Sequence, residues 1–364
     1  MNYDFTFGHR KSSVHIEQNI PDLGDILAEM KPERAIIVCD TNTAGLAESV
    51  RGGAEAEICV LPAGEGAKNW QSIEKILRMA VSAGLGRDGL FAAVGGGVVS
   101  DLCAFAASVY KRGAGLVIVS TTLLGMVDAA LGGKTGFDMF DIKNFAGTFY
   151  PARNVYMPLA ALCTLPPREW RSGLAEIIKT LVIDDSFYTT ETRGQLLALK
   201  GALTGEGTPR TLIDEAARLI GRSVTVKGRI VENDPEERSG ERMLLNLGHT
   251  FAHALESAAG LGRLSHGEAV AWGLSRACIL GVELGCTPVE RSESIRAVLE
   301  ELGYETGSPH PALADGGAFM RALKDDKKKT GGFFRFVFPA RRGACIVTMD
   351  NDSLDLIEKT SGLI

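Results

Sequence analysis

The feature that most restricts this chain is a change of hydrophobic period near residue 160. Before it, short apolar runs at 34–39 (RAIIVC), 58–61, 89–94 (GLFAAV) and 115–119 read as buried strands. Helical periodicity at 69–83 and 102–110 separates them. Strand and helix in alternation build a parallel sheet covered by helices. After Pro166 long helical segments take over, at 168–182, 209–231, 247–259, 267–284 and 289–302. Two β-like runs, 333–338 and 344–348, then flank a turn at Arg342-Gly343. The expected organisation is an α/β domain with a parallel sheet over 1–160, followed by a mostly α-helical domain over 161–364. Clefts between packed domains are preferred ligand sites.

Composition narrows the function classes. A chain of 364 residues with 45% hydrophobic and 23% charged residues buries a large core without disulfides or structural metal. A metal here is therefore expected to serve chemistry. The net charge of -6 argues against a nucleic-acid partner, which calls for a basic face. The 7 cysteines are scattered, with no C-x-x-C pair, so neither a zinc ribbon nor a disulfide framework is indicated. A reduced, cytoplasmic setting is expected. The segment MNYDFTFGHR lacks an apolar signal core, so secretion is not expected. No apolar run approaches the roughly 18 residues of a membrane helix, so no membrane role is expected either.

Within the first half, GGGVVSD (95–101) follows a strand and opens a helix. Glycines let the backbone approach a phosphate, and free N–H groups at the helix start supply donors. The spacing is not G-x-G-x-x-G, and a tight turn without a ligand explains this run equally well on its own. Asp40 ends a strand and precedes Thr41 and Asn42, which suits a ribose or adenosine hydroxyl. Glu65 and Lys68 come together in PAGEGAKN after another strand. All these pieces sit at the carboxyl ends of strands, where open α/β sheets bind ligands, and together they favour a nucleotide site. The run STTLLGMVDAALGGKT adds Thr121, Thr122 and Asp128, with Lys134 after two glycines; Lys143 and Asn144 follow at a turn. A lysine after two glycines is more often solvated than anion-binding.

In the second half, NLGHTFAHALES places His249 and His253 four apart on one helix face. LSHGEAVA puts His266 before another helix, and SGLAEIIKT carries Glu176 with Lys179 on the same face. Glu176, His249 and His266 make a two-imidazole, one-carboxylate set with open positions, suited to a catalytic divalent ion such as zinc. Packed or surface histidines are the plainer alternative. Glu268 is a rival ligand that spacing alone leaves open.

Taken in order, GGGVVSD, TTLL…D…GGKT, KN, LP…E…SGLAEIIK, LNLGHTFAHALE and SHGEAVA make the chain, from about Asp40 to about Lys328, resemble the 3-dehydroquinate synthase family. The resemblance implies a nucleotide-binding α/β domain followed by a helical metal and substrate domain. It implies NAD contacts at Asp40, Asn42, Glu65, Lys68, Gly96, Gly97, Asp101, Thr121, Thr122, Leu124, Lys143, Thr164, Leu165 and Glu169. It implies zinc, or cobalt in its place, on Glu176, His249 and His266. Substrate-contacting and catalytic positions are implied at Asp128, Lys134, Asn144, Lys179, Lys227, Arg242, Asn246, His253 and Lys327, with the adjacent Lys328 and Lys329 as alternatives to the last. Arg112 resembles an arginine that reaches the neighbouring subunit of a homodimer. Ser100, Ser120, Met126, Ala129, Ala130 and Asp138 depart from the family pattern, and none is an implied metal ligand or core lysine.

The reaction implied converts a sugar phosphate, 3-deoxy-D-arabino-heptulosonate 7-phosphate, to 3-dehydroquinate and phosphate. It proceeds by transient NAD oxidation, phosphate elimination, reduction and intramolecular aldol closure. Three rivals stand beside it: a sugar phosphate cyclase with a different cyclitol product, a metal-dependent polyol or glycerol-phosphate dehydrogenase, and a non-catalytic NAD-binding protein. Arg242, Leu245 and Asn246 keep the dehydroquinate synthase pattern, against the first of these.

Overall fold

The computed structural model describes residues 1–140, 142–206, 210–260, 263–313, 315–329, 333–350 and 353–363, the side chains of 210–211 and 325–329 excepted. The chain forms two compact units, Met1–Leu165 with Lys227–Glu236, and Pro166–Val226 with Glu237–Ile364.

The first unit is built on a seven-stranded sheet in the order β1-β2-β9-β6-β5-β3-β4. Its strands are β1 (Asn2–Phe7), β2 (Arg10–Glu17), β3 (Ala35–Asp40), β4 (Ala56–Leu61), β5 (Leu90–Gly95), β6 (Gly115–Ser120) and β9 (Asn154–Pro158). All pairings are parallel except the β1–β2 hairpin. The inner strands β3 and β5 are buried on both faces, which is why they read as continuous apolar runs rather than alternating ones. Helices α1 (Leu23–Met30), α2 (Ala44–Arg51), α3 (Trp70–Ser82) and α4 (Gly97–Val109) accompany the sheet. One core cluster joins α1 and α2 to it through Leu23, Ile26, Ala47, Val50, Ile37, Ala92 and Val119. A small antiparallel hairpin, β7 (Phe137–Met139) with β8 (Ile142–Ala146), lies outside the main sheet.

The second unit is mainly helical: α5 (Pro167–Ile183), α6 (Thr190–Ala198), α7 (Lys200–Thr204), most of α8 (Arg210–Asn233), α9 (His249–Ala259), α10 (His266–Glu283), α11 (Val289–Glu301), α12 (Gly316–Lys329) and α13 (Leu354–Ser361). An antiparallel pair, β10 (Phe334–Pro339) with β11 (Ala344–Met349), turns at Gly343, whose φ is 63°. Helix α5 is buried from Ser172 to Ile183, the mark of a central helix. Among the described residues, no helix is long and apolar enough to cross a membrane.

The architecture is that of the expected class, a parallel-sheet α/β unit and a helix-rich one. It differs in detail from the single boundary at 160/161, because Lys227–Glu236 belongs to the first unit. Packing explains the return of this segment. A Cβ on Gly228 would stand 2.1 Å from the Phe5 ring, so the helix touches β1 backbone-close. The Thr6 amide also donates to Glu232 Oε1 at 2.6 Å.

Candidate active site

Three helices of the second unit bring Glu176, His249 and His266 together. Their candidate ligand atoms all lie within 4.8 Å of one another. Each histidine points Nε2 at Glu176 Oε1, at 3.4 Å in both cases. A tetrahedral ion with bonds near 2.0–2.1 Å spaces its donors about 3.3–3.4 Å apart. Close helix crossings beside the ligands set this spacing. Gly267, next to His266, faces Ser172 on α5, where a Cβ would be 2.4 Å from the Ser172 Cα. Gly248, next to His249, has φ 78° and lies so near α10 that a Cβ would be 2.7 Å from the Leu274 nitrogen. A side chain at either position would push a ligand-bearing helix away.

Glu176 is fully buried, and neither of its oxygens accepts a well-formed hydrogen bond. Lys179 Nζ stands 2.5 Å from Oε2 as an ion pair lacking that geometry. Burial favours a neutral carboxyl, but Lys179 and the two imidazoles outweigh it and hold Glu176 well below the usual carboxylate range. Burial, together with the charge of Lys179, pushes His249 down to about 3, so this imidazole is neutral. For His266 burial is outweighed by bonding to Glu176 and Glu256, which raises it to about 10. A buried, ionised carboxylate with unsatisfied oxygens, faced by two imidazole nitrogens at ligand spacing, fits a divalent ion.

His253 lies one turn beyond His249 on α9. Its ring centroid is 5.4 Å from that of His249 and 6.4 Å from that of His266, and the residue is exposed. Arg242 is buried and Asn246 half-buried on the 3₁₀ turn Glu241–Asn246 that precedes α9. Lys327 lies on α12, and its side chain is outside the described residues. The rival ligand Glu268 is engaged elsewhere. Its carboxylate accepts from the Ser265 amide at 2.9 Å and from Ser265 Oγ at 2.7 Å, forming the capping box that starts α10. The S-x-x-E spacing signals that role in the sequence.

In the first unit the expected nucleotide residues gather at the carboxyl ends of strands. Gly96 caps α4 and Gly97 begins it, so the helix starts five residues before the expected Leu102. The turn is tight because of contact rather than unusual dihedrals: a Cβ on Gly95 would be 2.7 Å from Val99, and one on Gly96 3.0 Å from Thr122. Thr121 donates its amide to the Gly95 carbonyl at 3.0 Å. Thr122 Oγ1 accepts from the Gly125 amide at 3.0 Å and so organises Leu124 and the π-type turn Gly125–Ala129. The Asp40 Oδ1 atom accepts from the amides of Asn42 (2.9 Å) and Thr43 (3.0 Å), which shapes the turn into α2. Glu65 is exposed on a short 3₁₀ turn, three residues before the buried Lys68. Lys68 Nζ pairs with Asp101 Oδ2 at 2.6 Å. Thr164 and Leu165 close the 3₁₀ segment after β9, and Glu169 lies in the first turn of α5 in the second unit.

Asp128 sits on the π-type turn, and its carboxylate and carbonyl both receive Lys227 Nζ. Lys134 is exposed and lines the same small hollow as Asp101, Ala129 and Tyr150. Lys143 and Asn144 are exposed on β8; Asn144 has φ 51° and donates its amide to Asp138 Oδ1 at 2.8 Å. Asp138 in turn gives its own amide to the Lys68 carbonyl at 2.7 Å, so a residue that departs from the family pattern here shapes the hairpin. Arg112 is exposed at φ 68° in the turn that ends α4.

One side chain at the ligand cluster was not among the expected site residues. Glu256 Oε1 lies 3.6 Å from His266 Nδ1. The signal for it was present: in HTFAHALE it stands seven after His249 and three after His253, on the same helical stripe.

Comparison with known proteins bears on what this arrangement is. The family profile for the 3-dehydroquinate synthase N-terminal region matches residues 58–172, and that for its C-terminal region matches 173–329. A 3-dehydroquinate synthase of Acidithiobacillus ferrooxidans is 41% identical over 289 residues, covering 79% of this chain and 76% of the relative. One from Nostoc punctiforme is 37% identical over 348 residues, covering 94% and 93%. Among solved structures, 2-epi-5-epi-valiolone synthase from Streptomyces hygroscopicus, with NAD+ and Zn2+ bound, superposes with a TM-score of 0.81 at 27% identity, covering 95% of this chain and 94% of that one. The chain belongs to the 3-dehydroquinate synthase family.

Proposed function

We propose that this chain converts 3-deoxy-D-arabino-heptulosonate 7-phosphate to 3-dehydroquinate and phosphate. The observation that carries this reading is the convergence of Glu176, His249 and His266, with Lys179 beside them, in a chain of this family. NAD supplies, when bound, a hydride acceptor that is regenerated within the turnover. A divalent ion on the three ligands, zinc or cobalt, supplies Lewis acidity toward the hydroxyl being oxidised. Oxidation of that carbon acidifies the neighbouring C–H, so phosphate leaves by elimination; reduction, ring opening and aldol closure follow.

The chain's own residues take the remaining roles. The exposed His253 imidazole carries the hydroxyl proton through a ring nitrogen. Lys134, Asn144, Arg242 and one C-terminal lysine, Lys327 or its neighbours Lys328 and Lys329, bind the phosphate and carboxylate groups through charge-assisted hydrogen bonds, and Asn246 contacts the substrate. Lys179 and Lys227 offset negative charge that builds on the substrate, and Asp128 holds the Lys227 ammonium in place. Asp40, Asn42, Glu65, Lys68, Gly96, Gly97, Asp101, Thr121, Thr122, Leu124, Lys143, Thr164, Leu165 and Glu169 are the proposed nucleotide contacts. The reading also makes the enzyme a cytoplasmic homodimer in which Arg112 reaches the neighbouring subunit's substrate; its exposure supports that role.

A phosphate-release assay on the heptulosonate phosphate, with and without chelator, tests this function. One phosphate per dehydroquinate, no net NADH absorbance, and loss of rate on chelation are expected. Net NADH accumulation would point to a dehydrogenase, a different cyclitol to another cyclase, and rate unaffected by chelator would remove the metal from the reaction.

A further inference from the structure

The two imidazoles that face Glu176 are anchored differently from behind. His249 Nδ1 lies 3.3 Å from the Leu247 carbonyl, an uncharged acceptor in its own chain neighbourhood. His266 Nδ1 lies 3.6 Å from Glu256 Oε1, a carboxylate on another helix. Both rings therefore have Nδ1 beside an acceptor and Nε2 within 3.4 Å of Glu176 Oε1. An imidazole that gives its Nδ1 hydrogen to an acceptor keeps its Nε2 lone pair for a ligand.

Helix stability does not account for Glu256. It lies in the last turn of α9, which ends at Ala259, where the helix dipole disfavours an anion. Its place is explained by reach: it follows His249 and His253 along one stripe of α9, and that stripe faces the start of α10. The Glu256 side chain is 18% exposed and that of His266 29%, so water competes with the contact only in part.

We infer that Glu256 is a positioning residue of the metal centre: its carboxylate accepts the Nδ1 hydrogen of His266, fixes that ring's tautomer and orientation, and leaves Nε2 to ligate. This rests on the metal reading given above. The two anchors divide the work unequally, because a carboxylate behind a ligating imidazole raises its basicity more than a carbonyl does. The assignment concerns the ring's hydrogen bond and orientation, and a purely structural Glu256 would leave the ion's environment untouched.

The test uses the full chain stripped of metal. Zinc and cobalt affinities are measured by chelator competition for the native protein, Glu256→Ala and Glu256→Gln, together with the visible absorption of the cobalt forms. Glu256→Ala is expected to bind about 10- to 100-fold more weakly, with an altered cobalt spectrum. Glu256→Gln keeps an oxygen acceptor and is expected to recover most of the affinity. Circular dichroism of the metal-free forms reports folding; should Glu256→Ala fold poorly, Glu256→Leu, of similar size and without an acceptor, takes its place with the same expected loss and spectral change. The inference fails if Glu256→Ala binds within about twofold of the native protein with the same spectrum. It also fails if Glu256→Gln binds no better than Glu256→Ala. A native chain that binds neither ion removes the metal reading itself, an outcome distinct from both.

Discussion

Two of the buried acid–base pairs among the described residues differ in being closed or open. In the first unit, Lys68 and Asp101 meet at 2.6 Å with side chains 7% and 19% exposed. Burial works against the Lys68 charge, but Asp101 outweighs it and holds the ammonium above its usual range. Burial pushes Asp101 up to about 6 even beside that lysine, so at neutral pH both remain charged. The pair satisfies itself. In the second unit, Glu176 is ionised and more deeply buried; Lys179 pairs with its Oε2 at 2.5 Å, yet neither oxygen accepts a well-formed hydrogen bond and Oε1 faces two imidazole nitrogens. A closed pair explains its own burial, whereas an open one calls for a further charged partner. That difference separates a pair that neutralises itself from a group arranged to bind an ion.

The largest expected effect comes from opening the second cluster further. His249→Ala should bind no divalent ion stoichiometrically and lose several kcal/mol of transition-state stabilisation, about a thousandfold in turnover. Metal content and phosphate release are the measurements. A variant that keeps both would show the second cluster to be as self-contained as the first.

Next comes the closed pair. Lys68→Met leaves the Asp101 charge buried alone and should cost about 3–5 kcal/mol in urea unfolding. Lys68→Met combined with Asp101→Leu should recover most of that loss, since an apolar pair replaces the ionic one. A double variant as unstable as the single one would mean that the pair is not closed.

The smallest effect concerns a histidine that is satisfied internally. His310 Nδ1 accepts from the Ala312 amide at 3.0 Å, and its ring packs edge-on against Trp272. Burial lowers its pKa from 6.5. The folded state therefore holds fewer protons than the unfolded one below that value, so its contribution to stability is present above pH 6.5 and is lost as pH falls through the folded value. His310→Asn keeps an acceptor and should flatten the thermal midpoint of the metal-free protein between about pH 7.5 and 5, by at most about 1 kcal/mol. An identical pH profile in native and variant chains would place the titration elsewhere.

Much of the fold is legible in the residues because burial on both faces writes long apolar runs. The inner strands β3 and β5 and the central helix α5 were expected within a residue or two of their bounds. The edge hairpin β1–β2 was not, although Phe5, Phe7, Val14 and Ile16 alternate inward. Strand β9 is five residues ending in proline, too short for a periodic signal, and is made a strand by pairing with β2 and β6. The start of α4 was hidden because three glycines carry low helix propensity, and close packing overrides it. Glu268 was read as a rival ligand because its capping signature was outweighed by the histidine beside it.

By itself the sequence determined which residue types were available and which shared a helical face: His249 with His253 and Glu256, and Glu176 with Lys179. Local periodicity fixes those neighbours, since 3.6 residues make a turn whatever the helix packs against. Only the tertiary structure decided that Nε2 of two different helices meets one carboxylate and that Glu256 stands behind His266. Distances between helices depend on how closely backbones cross, and at Gly248 and Gly267 that closeness comes from contacts with segments remote in the chain.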